Sequence, residues 1–211
     1  RVLFRSHLLK ARVPSARMIS PTGVAVDMPI TGGFVGMVDR CAFDEWLRQR
    51  AADAGATRVT GAFEKILRDA EGPPRILYRQ KSDAEPQSLR ARLIIGADGA
   101  LSQVGRQEVP GAEKARFVFA YHEVIATPTS ETSDPDRCEI HYRGALSPDF
   151  YAWIFPHGDT MSVGSGSANK GFSLKTSVRA LRDDAGLSET ATVRREGAPI
   201  PLKPLKRWDN G

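Results

Sequence analysis

Tyr151, Trp153 and Phe155 recur at two-residue spacing in a run that closes on Pro156, and Gly164 and Gly166 repeat that spacing after seven intervening residues. Residues two apart in a strand share a face. Each ring can bury roughly 150–250 Å², worth a few kcal/mol at about 25 cal/mol per Å², so three in a row do not stay wet. They either form sheet core or line a cavity. If Gly164 and Gly166 lie on the return strand, a face without side chains opposite the rings leaves room for an apolar ligand. The alternative is a core hairpin in which glycine permits close packing. Two further places carry chemistry. In Leu93-Ile94-Ile95-Gly96-Ala97-Asp98-Gly99 an apolar run ends in an Asp-Gly turn. Ligands of open α/β sheets sit at such carboxyl ends of strands. Gly99 would let backbone approach a ligand, and Asp98 would offer an acceptor to a ribose-type hydroxyl. A bare turn is the alternative. Arg40 follows Asp39, a good N-cap, and a cation beside free helix N–H groups favours an anion such as a diphosphate. Arg40 pairing with Asp44 is the competing reading.

The elements that must position these residues are punctuated by Pro and Gly. Residues 17–20, 24–28 and 34–38 are short β-rich pieces and read as a small antiparallel meander. A helix follows from Asp39 to Gly55, with Phe43, Leu47, Ala51 and Ala54 on an apolar stripe. Residues 57–67 and 75–80 alternate like strands, 81–88 is a loop, and 88–95 is a strand feeding the Asp-Gly turn, followed by a short helix. After Pro110 the texture becomes a run of strands at 115–126, 137–143, 151–155 and 160–166, as expected of a separate antiparallel sheet. Ser173 caps a later helix with Leu174, Val178, Leu181 and Ala185 on one face and Gly186 at its end.

Composition bounds the function. The 211 residues are 41% hydrophobic and 26% charged, an ordinary globular balance. No apolar run approaches the ~20 residues of a membrane span. The net charge of +5 is scattered, without the basic stripe and interleaved aromatics of a nucleic-acid groove. A weak attraction to an anionic membrane surface is compatible with it. Cys41 and Cys138 are far apart and His7, His122, His141 and His157 show no ligand spacing, so no metal site or disulfide is expected. Residues 1–6 match what a sequencing-library adapter encodes in one frame and are read as an assembly artefact. Without Arg1 and Arg5 the net charge falls from +5 to +3.

Tyr-x-Trp-x-Phe-Pro, seven residues, Gly-x-Gly resembles the lipid-site motif of the geranylgeranyl reductase family. Met18-Ile19-Ser20-Pro21, Gly32 to Arg40, Ser147 to Tyr151 and Glu196 to Trp208 resemble its branch in (bacterio)chlorophyll synthesis. The resemblance covers nearly everything after Arg12. It implies an α/β (α+β) fold, with an FAD-binding domain of p-hydroxybenzoate hydroxylase type and an antiparallel-sheet substrate domain. The expected divisions are 1–14 as an upstream remnant, 15–110 in the FAD-binding domain, 111–206 as the substrate domain and 207–211 returning to the first. The chain is expected to be an internal fragment. A Gly-x-Gly-x-x-Gly fingerprint would lie upstream and a Gly-Asp flavin motif beyond Gly211, so FAD would be held weakly.

The resemblance assigns Arg40, Asp98 and Gly99 to FAD, and Tyr151, Trp153, Phe155, Gly164 and Gly166 to a prenyl pocket. It names no catalytic residue. The implied reaction is flavin-dependent reduction of the geranylgeranyl group of a chlorophyllide ester or diphosphate to phytyl, with NADPH or a reduced electron carrier as reductant. The implied setting is cytoplasmic, peripheral to the photosynthetic membrane. A flavin monooxygenase or halogenase of the same fold is the enzymatic alternative. A prenyl-binding module without catalysis is the other.

Overall fold

The computed structural model describes residues 8–70, 72–82, 84–129 and 134–210. The adapter-like residues 1–6 and His7 lie outside them. In chain order the elements are β1 (Leu9–Val13), β2 (Ser15–Ile19), β3 (Ala25–Pro29), β4 (Val35–Val38), α1 (Arg40–Asp53), β5 (Ala62–Leu67), β6 (Arg75–Arg79), β7 (Gln87–Arg90) and α2 (Gln103–Glu108). They continue with β8 (Phe117–Ala126), β9 (Arg137–His141), β10 (Ala152–Pro156), β11 (Thr160–Ser167), α3 (Leu174–Asp184) and β12 (Thr192–Pro201). The mixed α/β chain divides into two compact units, residues 8–50 with 118–200 and residues 51–117 with 201–210.

The first unit is built on a seven-stranded sheet in the order β12-β8-β11-β10-β9-β2-β3. β8, β11, β10 and β9 pair antiparallel, as their alternation suggests. β2 joins β9 in parallel, with Ser15 opposite Arg137 and Ile19 opposite His141. The expected three-piece meander is therefore only a two-strand hairpin. β2 and β3 pair antiparallel, but β4 turns away and pairs with β1 in a separate two-stranded sheet. β2 and β3 thus share a sheet with residues beyond Pro110 rather than with those leading up to it.

Alternation gives this sheet two different faces. Ala152, Ile154, Met161, Val163 and Ile125 point to one side, where α3 buries Val178 and Leu181 against them. Ser173 caps α3 by accepting from the Thr176 N–H, and Gly186 ends it at φ +68°. Trp153 and Phe155 point to the opposite side. There Phe155 packs with Ile140, Cys138, Val13 and Met37, so the β1–β4 pair covers one end of the aromatic run.

In the second unit β5, β6 and β7 form an antiparallel three-stranded sheet. The strand expected over 88–95 stops at Arg90, and Leu93 and Ile95 are 76% and 80% exposed. An apolar run becomes a buried strand only where neighbours take its backbone bonds, and among the described residues no strand flanks this one. The stripe on α1 is also uncovered, because no residue of that helix is buried. α1 is held by local ties instead. Asp39 Oδ1 accepts from the Cys41 and Ala42 N–H groups at 2.8 and 3.2 Å, Phe43 stacks on Trp46, and Arg50 lies 4.8 Å over the Trp46 ring.

Candidate functional site: an aromatic row over two glycines

Tyr151, Trp153 and Phe155 form a continuous row on one face of the large sheet. Tyr151 meets Trp153 edge-on at 5.9 Å between centroids, and Trp153 stacks toward Phe155 at 6.1 Å. The row extends beyond the spacing pattern. Phe150 stacks on Tyr151 at 4.1 Å, and Tyr142 approaches the same ring edge-on at 6.2 Å. Such pairs are worth about 0.5–1.5 kcal/mol beyond their buried area. Trp153 is 9% exposed, and Tyr142 is open to solvent. Burial pushes the Tyr151 phenol up, and the nearby Tyr142 adds to the shift.

The glycines decide between the two readings of this hairpin. Trp153 is paired in register with Gly164. A Cβ on Gly164 would overlap the indole Cζ2 and Cε2 and come within 2.7 Å of His122 Cβ. A Cβ on Gly166 would lie 2.7 Å from Phe150 Cδ1 and 2.9 Å from Val118 Cγ1. The space expected for a ligand is filled by the aromatic rings themselves. Glycine here seats the rings against the strand. Two cavities of about 370 and 350 Å³ are lined by other residues, among them Lys175, Arg179 and Arg195 in one and Arg17, Glu139 and Asp184 in the other.

Polar ties lock the row's approach. Ser147 Oγ donates to the Gly166 carbonyl at 2.7 Å and accepts from the Phe150 N–H at 3.0 Å. Asp149 accepts from the Ser167 hydroxyl at 2.6 Å and the Ala168 N–H at 2.9 Å. Phe150 escaped the sequence pattern because it breaks the two-residue spacing; the signal available was its position beside Tyr151.

Asp98 and Gly99 lie in the second unit, at the entrance to α2. Asp98 is already engaged. Its Oδ1 accepts from the Ser102 hydroxyl, and its Oδ2 accepts from the Gln103 and Val104 N–H groups at 2.6 and 3.2 Å. Partial burial would raise its pKa, but the hydrogen bonds from Ser102, Val104 and Gln103 outweigh it and hold the carboxyl below its ordinary value. Gly99 has φ +84° and nothing within 4 Å of a would-be Cβ, so its backbone stands open to a close-approaching group. Gly96 has the opposite role: a Cβ there would sit 2.8 Å from Val104, so glycine lets the turn close on α2.

Arg40, in the first unit, is exposed and forks onto Asp44, with Nε–Oδ1 and Nη2–Oδ2 both 3.2 Å. The pairing weighed at the sequence level is formed. Cys41 is exposed and Cys138 is buried, both as free thiols, and burial pushes the Cys138 thiol up to about 11. Among the described residues no group of three or more His, Cys, Asp or Glu side chains could hold a metal ion, and no helix is long and apolar enough to cross a membrane.

No protein-family model matches the chain. It is 54% identical over 206 residues to a geranylgeranyl diphosphate reductase of Rhodobacter capsulatus, covering 97% of this chain and 52% of that protein. The chain belongs to the geranylgeranyl reductase family. The chloroplastic geranylgeranyl diphosphate reductase of Nicotiana tabacum is 33% identical over 216 residues, covering 95% of this chain and 46% of that protein. The chain spans about half the length of the curated relatives it matches. Its fold matches that of a geranylgeranyl bacteriochlorophyll reductase-like protein from Thermoplasma acidophilum, with a TM-score of 0.80, 23% identity, and coverage of 96% of this chain and 53% of that one.

Proposed function

We propose that the protein acts in flavin-dependent reduction of the geranylgeranyl group, on a chlorophyllide ester or the free diphosphate, to phytyl in (bacterio)chlorophyll synthesis. The observation that carries this reading is the continuous ring row of Tyr151, Trp153 and Phe155 on β10 in a chain 54% identical to a geranylgeranyl diphosphate reductase. A prenyl tail is recognised by little except apolar area, at about 0.8 kcal/mol per buried methylene. Rings already seated in glycine notches offer it apolar area with no side-chain entropy left to lose.

FAD suits the residues present, within limits that their geometry sets. Gly99 offers open backbone at positive φ, which a close-packed cofactor needs. Asp98 serves first as the clamp that orders this turn, and its second role toward FAD would use remaining acceptor capacity on the same oxygens. Arg40 would supply a cation and is oriented by Asp44. When bound, FAD supplies the hydride that an isolated double bond cannot take from a protein side chain. This chain's aromatic row would position the tail and keep water from it. Within a p-hydroxybenzoate hydroxylase-type fold, Arg40, Asp98 and Gly99 would each serve the cofactor, and Gly164 and Gly166 would serve the row.

NADPH or a reduced electron carrier would recharge the flavin. The setting we propose is cytoplasmic and peripheral to the photosynthetic membrane. Exposed Val26 on edge strand β3, with exposed Val24 just before it, supports such a contact.

The test is anaerobic turnover of the protein expressed from its full open reading frame, with FAD, reductant and geranylgeranyl-chlorophyllide. Phytyl product is expected, and Trp153→Ala should remove it. Flavin reoxidation without phytyl product would refute the reductase reading. A hydroxylated or halogenated product in air would favour the monooxygenase or halogenase alternative.

A further inference from the structure

Trp153 is held by more than packing. Its indole Nε1–H donates to Ser162 Oγ at 3.1 Å, and the same oxygen meets His122 Nδ1 at 2.9 Å. His122 Nε2 lies 3.0 Å from Glu196 Oε2. These four residues sit on four adjacent strands, β10, β11, β8 and β12. In register, His122 faces Gly164 and Gly164 faces Trp153, so both rings lean over the same glycine and reach the same hydroxyl two residues along β11. The His122 and Trp153 ring centroids are 6.3 Å apart.

For a neutral His122 ring the chain of contacts has one direction. A bare Nε2 lone pair would be repelled by the Glu196 carboxylate at that distance, so the ring proton belongs on Nε2. In the neutral ring Nδ1 is then an acceptor. Ser162 accepts from the indole, which can only donate, and gives its own proton to Nδ1. Every polar group in the chain is thereby matched, although Ser162 is 8% exposed and the His122 side chain 24%. A leucine or phenylalanine would fill this volume without any polar group to satisfy. What the bonded chain adds is orientation, because a hydrogen bond fixes an angle and apolar packing does not.

We propose that Ser162 and His122 are positioning residues that hold the Trp153 indole flat across Gly164 and so set how tightly the row grips a prenyl tail. The proposal rests on the prenyl-site reading above, and its test separates the two. Within this chain, which has three tryptophans, Trp46→Phe and Trp208→Phe leave Trp153 as the one reporter. In that background the emission of Trp153 reports its own hydrogen bond, and quenching by added geranylgeranyl diphosphate reports the grip.

Ser162→Ala and His122→Phe should each shift the emission to shorter wavelength and weaken geranylgeranyl diphosphate binding at least fivefold. His122→Asn keeps an acceptor where Nδ1 was and should bring both readings back to within twofold of the parent. In turnover the first two variants should raise KM more than they lower kcat. An unshifted emission, or a shifted emission with unchanged affinity, overturns the proposal. If the parent itself does not bind the diphosphate, the prenyl reading fails. The emission of Ser162→Ala then decides the tie alone, and an unshifted maximum overturns it. Far-UV circular dichroism checks folding; should His122→Phe not fold, Ser162→Ala, which removes a single oxygen, carries the test.

Discussion

The Trp153 indole lies over the bare backbone of Gly164, the residue it faces in the β10–β11 register. Gly164→Ala should therefore cost about 1–3 kcal/mol as an overpacking change and should displace the indole. Urea unfolding followed by tryptophan emission measures both effects together. Gly99→Ala is the contrasting case. Space is free there but φ is +84°, so its cost is the left-handed strain of about 1–2 kcal/mol, with no change in Trp153 emission.

Asp98→Ala should destabilise the second unit by about 1 kcal/mol, as loss of a cap does, because three donors at the start of α2 lose their shared acceptor. Hydrogen exchange at Gln103 and Val104 should speed up in the variant. Unchanged protection there would show that the clamp does not hold the turn.

Arg40→Ala should change stability by less than about 0.5 kcal/mol, since the Arg40–Asp44 pair is an exposed i,i+4 contact. That small cost makes the variant informative. Any large fall in FAD retention by the full-length protein then reports a cofactor contact and not unfolding.

Arg182 is buried at the end of α3. It donates to Glu123 at 2.5 Å, to Thr192 at 2.8 Å, and to the carbonyls of Leu187, Ser188 and Thr190. Removing it takes the charged partner on α3 from Glu123, which keeps Tyr121 and Arg195, and takes the guanidinium donor from the Ser188 and Thr190 carbonyls. Arg182→Met should cost about 3–5 kcal/mol, and adding Glu123→Gln should recover part of that loss in thermal melts.

The same carboxylate sets an acid limit. Burial would raise the Glu123 pKa, but hydrogen bonds from Tyr121, Arg182 and Arg195 hold it below its ordinary value. A carboxyl depressed in the folded state contributes stability above its unfolded value, about 4.3 for Glu, and loses it as pH falls through the folded value. The melting temperature should stay level from pH 7 to about 5 and fall below about 4. Glu123→Gln should make that fall shallower.

Local chemistry made much of this legible. The strands from β8 to β11 follow from alternation, α3 from Ser173 and Gly186, and α1 from the Asp39 cap. Partnership did not show. Residues 93–95 carry the composition of a buried strand, and that composition says nothing about whether a neighbour is there to pair with them. β12 hid behind Arg194, Arg195, Glu196 and Pro199, residues that an edge strand tolerates and a central one does not. At the candidate site the residue types were readable and the use of space was not. Gly164 opposite a ring fits an open slot or a filled notch equally well until the direction of the Trp153 side chain is known. His122 and Ser162 carried no spacing signal, because they meet only across strands 40 positions apart.

The parallel junction of β2 with β9 also fixes an order of assembly. Residues 15–19 find their partner only when 137–141 have been made, whereas β5, β6 and β7 pair with near neighbours in sequence. Contacts that close short loops form early and those that close long ones form late. On the ribosome the three-stranded sheet would therefore be complete while β2 and β3 still lacked their place in the large sheet, and Val24 and Val26 would wait with them.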